Sequence, residues 1–282
     1  MKRVLKWIGI VAGALAGLIV IILVGALIAS QVMLAKTYPE IPSPLRANTN
    51  TEAIAQGAHL IAIAGCRVCH GNDLSGAKLD FAGLDTPNLT VLSKSYSDAD
   101  FDRALRHCVR PDGKSSVIMP CAAYAALTDN EAAAIIGYLR TLQPTGVASS
   151  QIHPGPLLRL ALVAGQIRRG TDDIALLKPP INLGSHYEAG RHLARLVCGE
   201  CHEPTLNGNP LFPSPNLVIV AAYGRSDFHT LMRTGKALGG REVGKMSEAA
   251  RVRFKNLTDE EVDAIYQYLF ARAKAAASGV TS

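Results

Sequence analysis

Two stretches of the chain place two cysteines and a histidine at the same short spacing. They read Cys66-Arg67-Val68-Cys69-His70 and Cys198-Gly199-Glu200-Cys201-His202. In this C-x-x-C-H arrangement, two thiols about one helical turn apart can each add to a vinyl group of one porphyrin. The histidine is then held beneath the iron, where its imidazole can ligate the metal. A single match could be a redox dithiol, but two matches in similar surroundings predict two covalently bound haem c groups.

The surroundings of the two motifs repeat, so the region from about Glu52 to Leu142 aligns with that from about Tyr187 to Ala273. Each copy opens with Gly-x-His-Leu, has Pro-Asn-Leu after the motif, and closes with Leu-Thr-Asp-x-Glu. Thr and Glu at that spacing form a capping box, which begins a helix. Apolar residues then recur at helical spacing, and no strand pattern of useful length is present. An all-α fold with two tandem haem domains is therefore predicted.

A methionine follows a shared arginine by thirteen residues in both copies. These methionines are Met119 and Met246, and we expect each in a loop before the closing helix. A His/Met iron has no open position and suits electron transfer, whereas an open iron binds gases or peroxide. A methionine is more often core filler, but the shared register favours Met119 and Met246 as iron ligands opposite His70 and His202. Met232 is the alternative in the second copy.

Other residues occupy matching positions in the two copies. The prolines are expected to offer a carbonyl to the iron-bound histidine, which would fix its ring. The arginines either pair with haem propionates or end a solvated helix, and the histidines ahead of the motif are interpreted as helix or surface residues. The glycines would let the opening and closing helices cross closely. The pairs are Pro87 and Pro215, Arg106 and Arg233, His59 and His192, and Gly57 and Gly190.

Two cysteines lie outside the motifs, Cys108 and Cys121, and they bracket Met119. The second copy has Gly235 at the position of Cys108. In an oxidising compartment two leftover thiols favour a disulfide, which would stiffen the segment that holds Met119. Two buried free thiols are the alternative.

The N-terminal stretch 7–34 is almost wholly apolar and exceeds the roughly 20 residues that span a bilayer. It is too long for the apolar part of a cleaved signal, which is the alternative. Lys2, Arg3 and Lys6 would hold the N-terminus in the cytoplasm. A single-pass anchor in a bacterial inner membrane is predicted, with the haem domains in the periplasm. Small residues at four-residue spacing either admit a partner helix or reflect the frequency of glycine in such helices: Gly9, Gly13 and Gly17.

The predicted order is an anchor at 7–34, a linker at 35–50, a haem domain at 51–143, a second linker at 144–185 and a second haem domain at 186–274. In the second linker, residues 157–164 are apolar enough for a short helix, which would pack between the domains, over a haem edge or on the membrane. The formal charge of +6 is reduced by the cytoplasmic residues and by haem propionates. No basic stripe with interleaved aromatics is present, so no nucleic acid partner is expected.

On these residues the chain resembles the c-type cytochromes, as two class I-like domains behind an N-terminal anchor. The linker around residues 156–159 is similar to that of the cytochrome subunits of membrane-bound alcohol and sugar dehydrogenases, which usually carry three haems. The resemblance implies electron transfer without substrate chemistry, so the chain is not expected to be an enzyme. Its partners would be a dehydrogenase subunit and an oxidase, another cytochrome or another terminal acceptor.

Two other functions are compatible with two C-x-x-C-H motifs. A dihaem peroxidase needs one open or labile iron, and methionines in register in both copies argue against it. A haem-based sensor should carry a signalling module, and the sequence shows none.

Overall fold

A computed structural model describes residues 2–79, 84–147, 154–209 and 213–279. This part of the chain is mostly helical, as predicted. The helices are α1 (Lys2–Ala35), α2 (Thr51–Ile63), α3 (Cys66–His70), α4 (Leu89–Ser95), α5 (Asp98–Arg106), α6 (Cys121–Tyr124), α7 (Asp129–Thr141), α8 (Pro156–Val163), α9 (Gly170–Ala175), α10 (Glu188–His202), α11 (Arg225–Thr234), α12 (Lys245–Val252) and α13 (Asp259–Ala277). Short 3₁₀ helices cover Ser185–Tyr187, Leu217–Ala222, Leu238–Gly240 and Phe254–Asn256. Two antiparallel pairs of two-residue strands are β1 (Lys78–Leu79) with β2 (Leu84–Asp85), and β3 (Lys236–Ala237) with β4 (Arg241–Glu242).

The N-terminal helix α1 is long and apolar enough to cross a membrane. Its apolar side chains are exposed along most of its length, and Trp7 is 67% exposed. Its C-terminal end packs on the rest of the described chain, chiefly against α8, and the carbonyl of Met33 there accepts from Nη1 of Arg169. This is the arrangement expected of a helix whose neighbour is lipid, so the predicted anchor has a suitable helix.

The opening and closing helices of each half cross where the sequence places a glycine. A Cβ on Gly57 would overlap the carbonyl of Ala134 and lie 3.0 Å from Cβ of Tyr138. The second half repeats this contact with Gly190, Ala264 and Tyr268. The predicted close crossing is therefore confirmed in both halves, and the absence of a side chain at the glycine makes it sterically feasible.

Both closing helices begin with the predicted capping box. The Thr128 hydroxyl accepts from the amide of Glu131, and the Glu131 carboxylate accepts from the amide of Thr128. Thr258 and Glu261 do the same at the start of α13. These contacts satisfy amides that a helix N-terminus otherwise leaves without a partner.

Left-handed backbone positions also repeat between the halves. Leu74 and Leu206 have φ angles of 65° and 64°, and both side chains are fully buried. Cys108 has a φ of 59° and its counterpart Gly235 has 77°. Because residues other than glycine seldom adopt this conformation, the shared angles show that the two halves follow the same path at these points.

The halves differ where the opening helix meets the motif. In the first half α2 ends, Gly65 adopts a φ of 81°, and α3 carries the motif as a separate short helix. In the second half α10 runs unbroken through the motif to His202. One residue more separates His59 from Cys66 than separates His192 from Cys198, which accounts for the break.

The two halves pack against each other through reciprocal ion pairs. Nε2 of His59 lies 2.8 Å from Oε1 of Glu261, and Nε2 of His192 lies 2.8 Å from Oε1 of Glu131. Each glutamate also accepts, through Oε2, from the amide of its own capping threonine at 2.8 Å. The interpretation of His59 and His192 as helix or surface residues misses this contact between the halves.

The linker between the halves forms the predicted short helix, α8, which packs against the end of α1. Nη1 of Arg159 donates to Oε1 of Gln31 at 3.0 Å. Leu158 is buried in a small cluster with Leu84, and Ile118 packs against that cluster. The helix thus lies between the end of α1 and the wall of the first-half cavity described below.

Candidate functional site

The first C-x-x-C-H motif is presented by a one-turn helix on a tight loop. The thiols of Cys66 and Cys69 are free and partly buried. The loop that follows is closed by the amide of Gly76, which donates to the carbonyl of His70 at 2.8 Å. Cysteines three apart on α3 lie about one turn apart, as attachment to one porphyrin requires. In the second half, α10 supplies the same spacing with free thiols at Cys198 and Cys201.

The histidine of each motif is held by a proline carbonyl, as predicted. Nδ1 of His70 lies 2.9 Å from the carbonyl of Pro87, and Nδ1 of His202 lies 2.8 Å from that of Pro215. If Nδ1 carries the proton and donates to the carbonyl, Nε2 keeps a lone pair for a metal. The prediction of this contact is confirmed in both halves.

A hydroxyl residue before each proline secures the same loop, which sequence reasoning missed. Oγ1 of Thr86 donates to the carbonyl of Cys69 at 2.7 Å, and Oγ of Ser214 donates to that of Cys201. The loop is thereby tied to the motif whose histidine it orients. Alignment of the two copies could have revealed this contact, because a hydroxyl residue precedes the proline in both.

Burial sets the protonation states at the motifs. Burial lowers the pKa of His70 and of His202, and the hydrogen bond to the proline carbonyl offsets this only in part. Burial raises the pKa of Cys66 to about 11 and that of Cys198 to about 12. The imidazoles are therefore neutral, as iron ligands must be. The thiols of Cys66 and Cys198 are likewise neutral near pH 7.

An open cavity of about 1260 Å³, which includes its mouth, adjoins the first motif. His70 and Met119 both line it, and most of its other lining residues are apolar, among them Phe101, Leu105 and Tyr124. Met119 lies in a loop before α7, as predicted. Two thiols, a neutral imidazole, a thioether sulphur and apolar walls fit a covalently bound haem c with His/Met iron.

The two remaining cysteines form a disulfide beside this cavity. Cys108 and Cys121 are bonded, with their Cα atoms 5.6 Å apart. The amide of Cys121 donates to the carbonyl of Met119 at 2.9 Å. Gly170 of α9 packs so closely on Cys108 that a Cβ would overlap its sulphur. The disulfide, rather than two free thiols, therefore closes the segment that holds Met119.

Met246, the second predicted methionine ligand, does not lie in the kind of segment that was expected. Met246 lies in the first turn of α12 and is partly buried against the core, so the prediction of a loop was wrong. The helix begins after Gly244, whose φ of 57° turns the chain. Met232 is 1% exposed on α11. It corresponds to Leu105, which lines the first cavity, so its position is that of a wall residue.

The two shared arginines brace the closing helices. Nη1 of Arg106 lies 2.7 Å from Oδ1 of Asp129, and Nη2 of Arg233 lies 2.6 Å from Oδ1 of Asp259. Both arginines also donate to the carbonyl of the leucine in the Leu-Thr-Asp stretch. This arrangement differs from a free solvated helix end, and pairing of either arginine with a propionate stays a prediction.

A buried arginine of the second half links the two motif regions across the interface, and sequence reasoning missed it. Arg253 is 6% exposed, and its Nη1 donates to Oε2 of Glu200 at 2.6 Å. Its Nη2 donates to the carbonyl of Ala64 at 3.0 Å, two residues before Cys66. Glu200 belongs to the second motif and also lines the first cavity. The two motifs are therefore neighbours in space.

The chain matches one family model and two known proteins. Residues 52–139 match the family model described as cytochrome c oxidase, cbb3-type, subunit III. The chain is 27% identical to the fructose dehydrogenase cytochrome subunit of Gluconobacter japonicus, over 87% of this chain and 57% of that protein. It is 24% identical to the gluconate 2-dehydrogenase cytochrome c subunit of Pantoea cypripedii, over 78% of this chain and 59% of that protein. The chain thus spans less than three-fifths of the length of either relative.

The matched family model covers the first repeat, and both relatives are named as cytochrome subunits. These matches indicate covalently bound haem c as the cofactor. They lend no support to a peroxidase. The resemblance of this chain to c-type cytochromes, and to the cytochrome subunits of dehydrogenases, is thereby confirmed.

Proposed function

We propose that the chain is a membrane-anchored dihaem cytochrome c that relays single electrons between a dehydrogenase and a terminal acceptor or oxidase. The observation that carries this proposal is the apolar cavity lined by both His70 and Met119. An iron with a ligand on each face has no free position for a substrate. When bound, each haem supplies a one-electron carrier, and the chain makes or breaks no substrate bond.

We assign the haem-bearing residues by half. The first haem domain, residues 51–143, would attach its haem through Cys66 and Cys69 with His70 and Met119 on the iron. The second, residues 186–274, would use the corresponding residues Cys198, Cys201, His202 and Met246. The repeated glycine crossing, capping box and proline carbonyl support the second assignment, because they show the same local architecture in both halves.

The protein residues around each iron have separate tasks. The proline carbonyl orients the histidine ring and keeps its Nε2 available. Apolar walls exclude water, which lowers the cost of rearrangement when an electron arrives or leaves. The disulfide at Cys108 and Cys121 restrains the backbone that carries Met119. Together these residues hold a site that changes charge without changing shape.

The proposed membrane arrangement and partners are supported by the apolar helix α1 and by the two relatives. The segment 7–34 would cross the inner membrane once, leaving both haem domains in the periplasm, with linkers at 35–50 and 144–185. A dehydrogenase subunit is the proposed donor, since both relatives are named as cytochrome subunits of dehydrogenases. One face of α1 carries Gly9, Gly13 and Gly17 and would admit a partner helix. A Cβ placed on any of these glycines would meet no described group outside the helix's own backbone within 4 Å.

The experiment is a spectrum of each haem in both oxidation states, on the full chain in detergent. We expect two haems per chain, both low-spin with His/Met ligation. Met119→Ala and Met246→Ala should each open one iron, giving a high-spin centre that binds CO, while the other haem is unchanged. Met232→Leu serves as the matched control and should leave both spectra intact.

Three results would contradict parts of the proposal. One haem per chain would exclude a second haem domain. A native centre that is high-spin and binds CO or cyanide readily would exclude closed coordination at that haem. A spectrum unchanged in Met246→Ala but altered in Met232→Leu would move the second ligand to Met232.

A further inference from the structure

A second cavity lies where the end of α1 meets the first half of the chain. Its lining comes from three places: Gln31 to Ala35 on the last turns of α1, the segment 110–117, and the linker residues Pro154 and Arg159. We call this space the basic cavity. Neither haem attachment nor electron transfer, as proposed above, uses it.

The lining of the basic cavity has an excess of positive charge. Arg110, Lys114 and Arg159 are basic, and Asp112 is the one acidic residue among the lining residues. Asp112 accepts from Nη2 of Arg110 at 2.9 Å and lies 3.8 Å from Nζ of Lys114. The carbonyls at the end of α1 add roughly half a negative charge, which leaves the cavity positive.

Two of these cations have unused capacity for an anion. In the described part of the chain, Arg159 hydrogen-bonds neutral groups only, namely Oγ of Ser30, Oε1 of Gln31 and the carbonyl of Pro154. Nζ of Lys114 lies 3.8 Å from Asp112, which is beyond hydrogen-bond distance, so its ammonium donors also remain available to an anion.

The segment that supplies Arg110 and Lys114 is held firmly in place. The amide of Arg110 donates to the carbonyl of Lys114 at 2.9 Å, which closes a tight turn. The amide of Tyr38 donates to the carbonyl of Gly113 at 2.8 Å, which fastens that turn to the chain after α1. The positions of the two cations are therefore built into the fold.

The length of α1 sets the level at which the basic cavity would lie relative to the membrane. At 1.5 Å per residue, about 20 residues cross a hydrocarbon layer of about 30 Å. Counted from Trp7, the layer ends near Leu27. Gln31 would then lie about 6 Å beyond the hydrocarbon, within a headgroup layer that is about 5–8 Å thick on each side, and Ala35 about 12 Å beyond it, just outside that layer. Cations at that depth meet phosphodiester oxygens, and arginine binds these in a bidentate manner.

We propose that the basic cavity binds the phosphate group of a membrane phospholipid, with Arg110, Lys114 and Arg159 as its ligands. This inference rests on α1 spanning the membrane, as proposed above, but not on the ligands of either haem. Ser116 and Val117 line both the basic cavity and the haem cavity. A bound lipid would therefore steady the segment that leads to Met119.

The test uses the full holoprotein, purified in detergent and stripped of lipid. Native mass spectrometry with added phosphatidylglycerol should show one molecule of this lipid bound per chain more tightly than any further copies. Lys114→Gln and Arg159→Gln should each raise its dissociation constant about fivefold, as expected for loss of one cation near an anionic headgroup. The matched control Lys245→Gln removes a charge from an 82% exposed side chain in the second half and should bind lipid as the native chain does.

The source of the phosphate is resolved in a separate arm with inorganic phosphate. If inorganic phosphate displaces the lipid at equal concentration, the site is one for free phosphate and the lipid assignment is wrong. Equal lipid affinity in Lys114→Gln, Arg159→Gln and Lys245→Gln would also overturn the proposal. If Arg159→Gln loses its haem spectrum, Lys114→Gln decides alone, because Lys114 makes no close ion pair. Native haem spectra in these variants separate this result from the electron-transfer proposal.

Discussion

Arg253 contacts both C-x-x-C-H regions. Its guanidinium is almost fully buried, and its donors reach Glu200 of the second motif and the carbonyls of Ile63 and Ala64 ahead of the first. A buried guanidinium is costly unless its donors are satisfied. Here all three guanidinium nitrogens have partners, so the cost of burying the charge is offset and the arginine links the two motif regions.

Replacing Arg253 should therefore weaken the whole chain. We expect Arg253→Met to lower the free energy of unfolding by roughly 2–4 kcal/mol, because two buried carbonyls and one carboxylate lose a charged donor. Urea unfolding of the holoprotein, followed by far-UV circular dichroism, measures this change. Arg251→Met is the matched control, since Arg251 lies two residues away, is half exposed and pairs with Glu242. Similar losses in the two variants would refute a special role for Arg253.

At the scale of elements, each half depends on the crossing of its opening and closing helices. The crossing point is a glycine packed on the carbonyl of an alanine, beneath the Cβ of a tyrosine. Helices that approach this closely transmit any added volume to the backbone, because the obstructing atom is a carbonyl rather than a flexible side chain. The two crossings should therefore respond alike to the same substitution.

We expect Gly57→Ala and Gly190→Ala each to destabilise the holoprotein by about 1–3 kcal/mol through overpacking, despite the better helix propensity of alanine. Gly25→Ala, at a helical glycine of α1 outside both haem regions, is the control. A Cβ there has no described neighbour within 4 Å, so its stability should be unchanged or slightly higher. Thermal unfolding of the three variants tests this. Equal melting temperatures would show that the helices separate easily.

The elements that sequence patterns predicted well depend on contacts within one half. The capping box of Thr128 and Glu131 joins residues that are close in sequence. The roles of Gly57 and Pro87 could be predicted because the second copy has the same residues at the matching positions. The loop assigned to Met246 failed for a physical reason. Gly244 turns the chain just before it, and Lys245 with Glu248 pair at helical spacing in the next turn, so a helix begins there.

Contacts between the halves could not be predicted in this way. Arg253 reaches Ala64 across 189 residues of chain, and nothing in either local pattern encodes that distance. His59 and His192 stood out as a repeated pair, but their partners are each in the other copy. The packing of α8 on α1 is likewise a tertiary contact, and its apolar pattern was compatible with three different locations.

At the scale of the molecule, the halves are joined by a reciprocal arrangement. Each opening helix supplies a histidine, and each closing helix supplies a glutamate whose carboxylate both caps its own first turn and binds the histidine of the other half. Helix initiation and packing of the halves therefore share a residue. Glu131 and Glu261 cannot be replaced without affecting both, so the histidines are the better sites for testing the interface.

The pH dependence of this interface follows from the His59 pair. The hydrogen bond to Glu261 raises the pKa of His59 above its ordinary 6.5, and burial opposes this only in part. The pair therefore contributes fully below pH 6.5, and its contribution is lost as the pH rises through the raised pKa. Burial alone would raise the pKa of Glu261, but the hydrogen bond from His59 helps to hold it below 4.5. On the acid side the contribution lasts down to pH 4.5 and is then lost.

We expect His59→Gln to lower the free energy of unfolding by about 0.5–1 kcal/mol near pH 5.5, and by clearly less near pH 9. Urea unfolding of the holoprotein at both pH values gives the two differences. His186→Gln is the control, because His186 is exposed and its ring contacts Tyr187 rather than a carboxylate. If the loss of unfolding free energy in His59→Gln instead grew with pH, the expected pH dependence would be contradicted. It would mean that the neutral imidazole, acting as a plain hydrogen-bond donor, holds the two halves together.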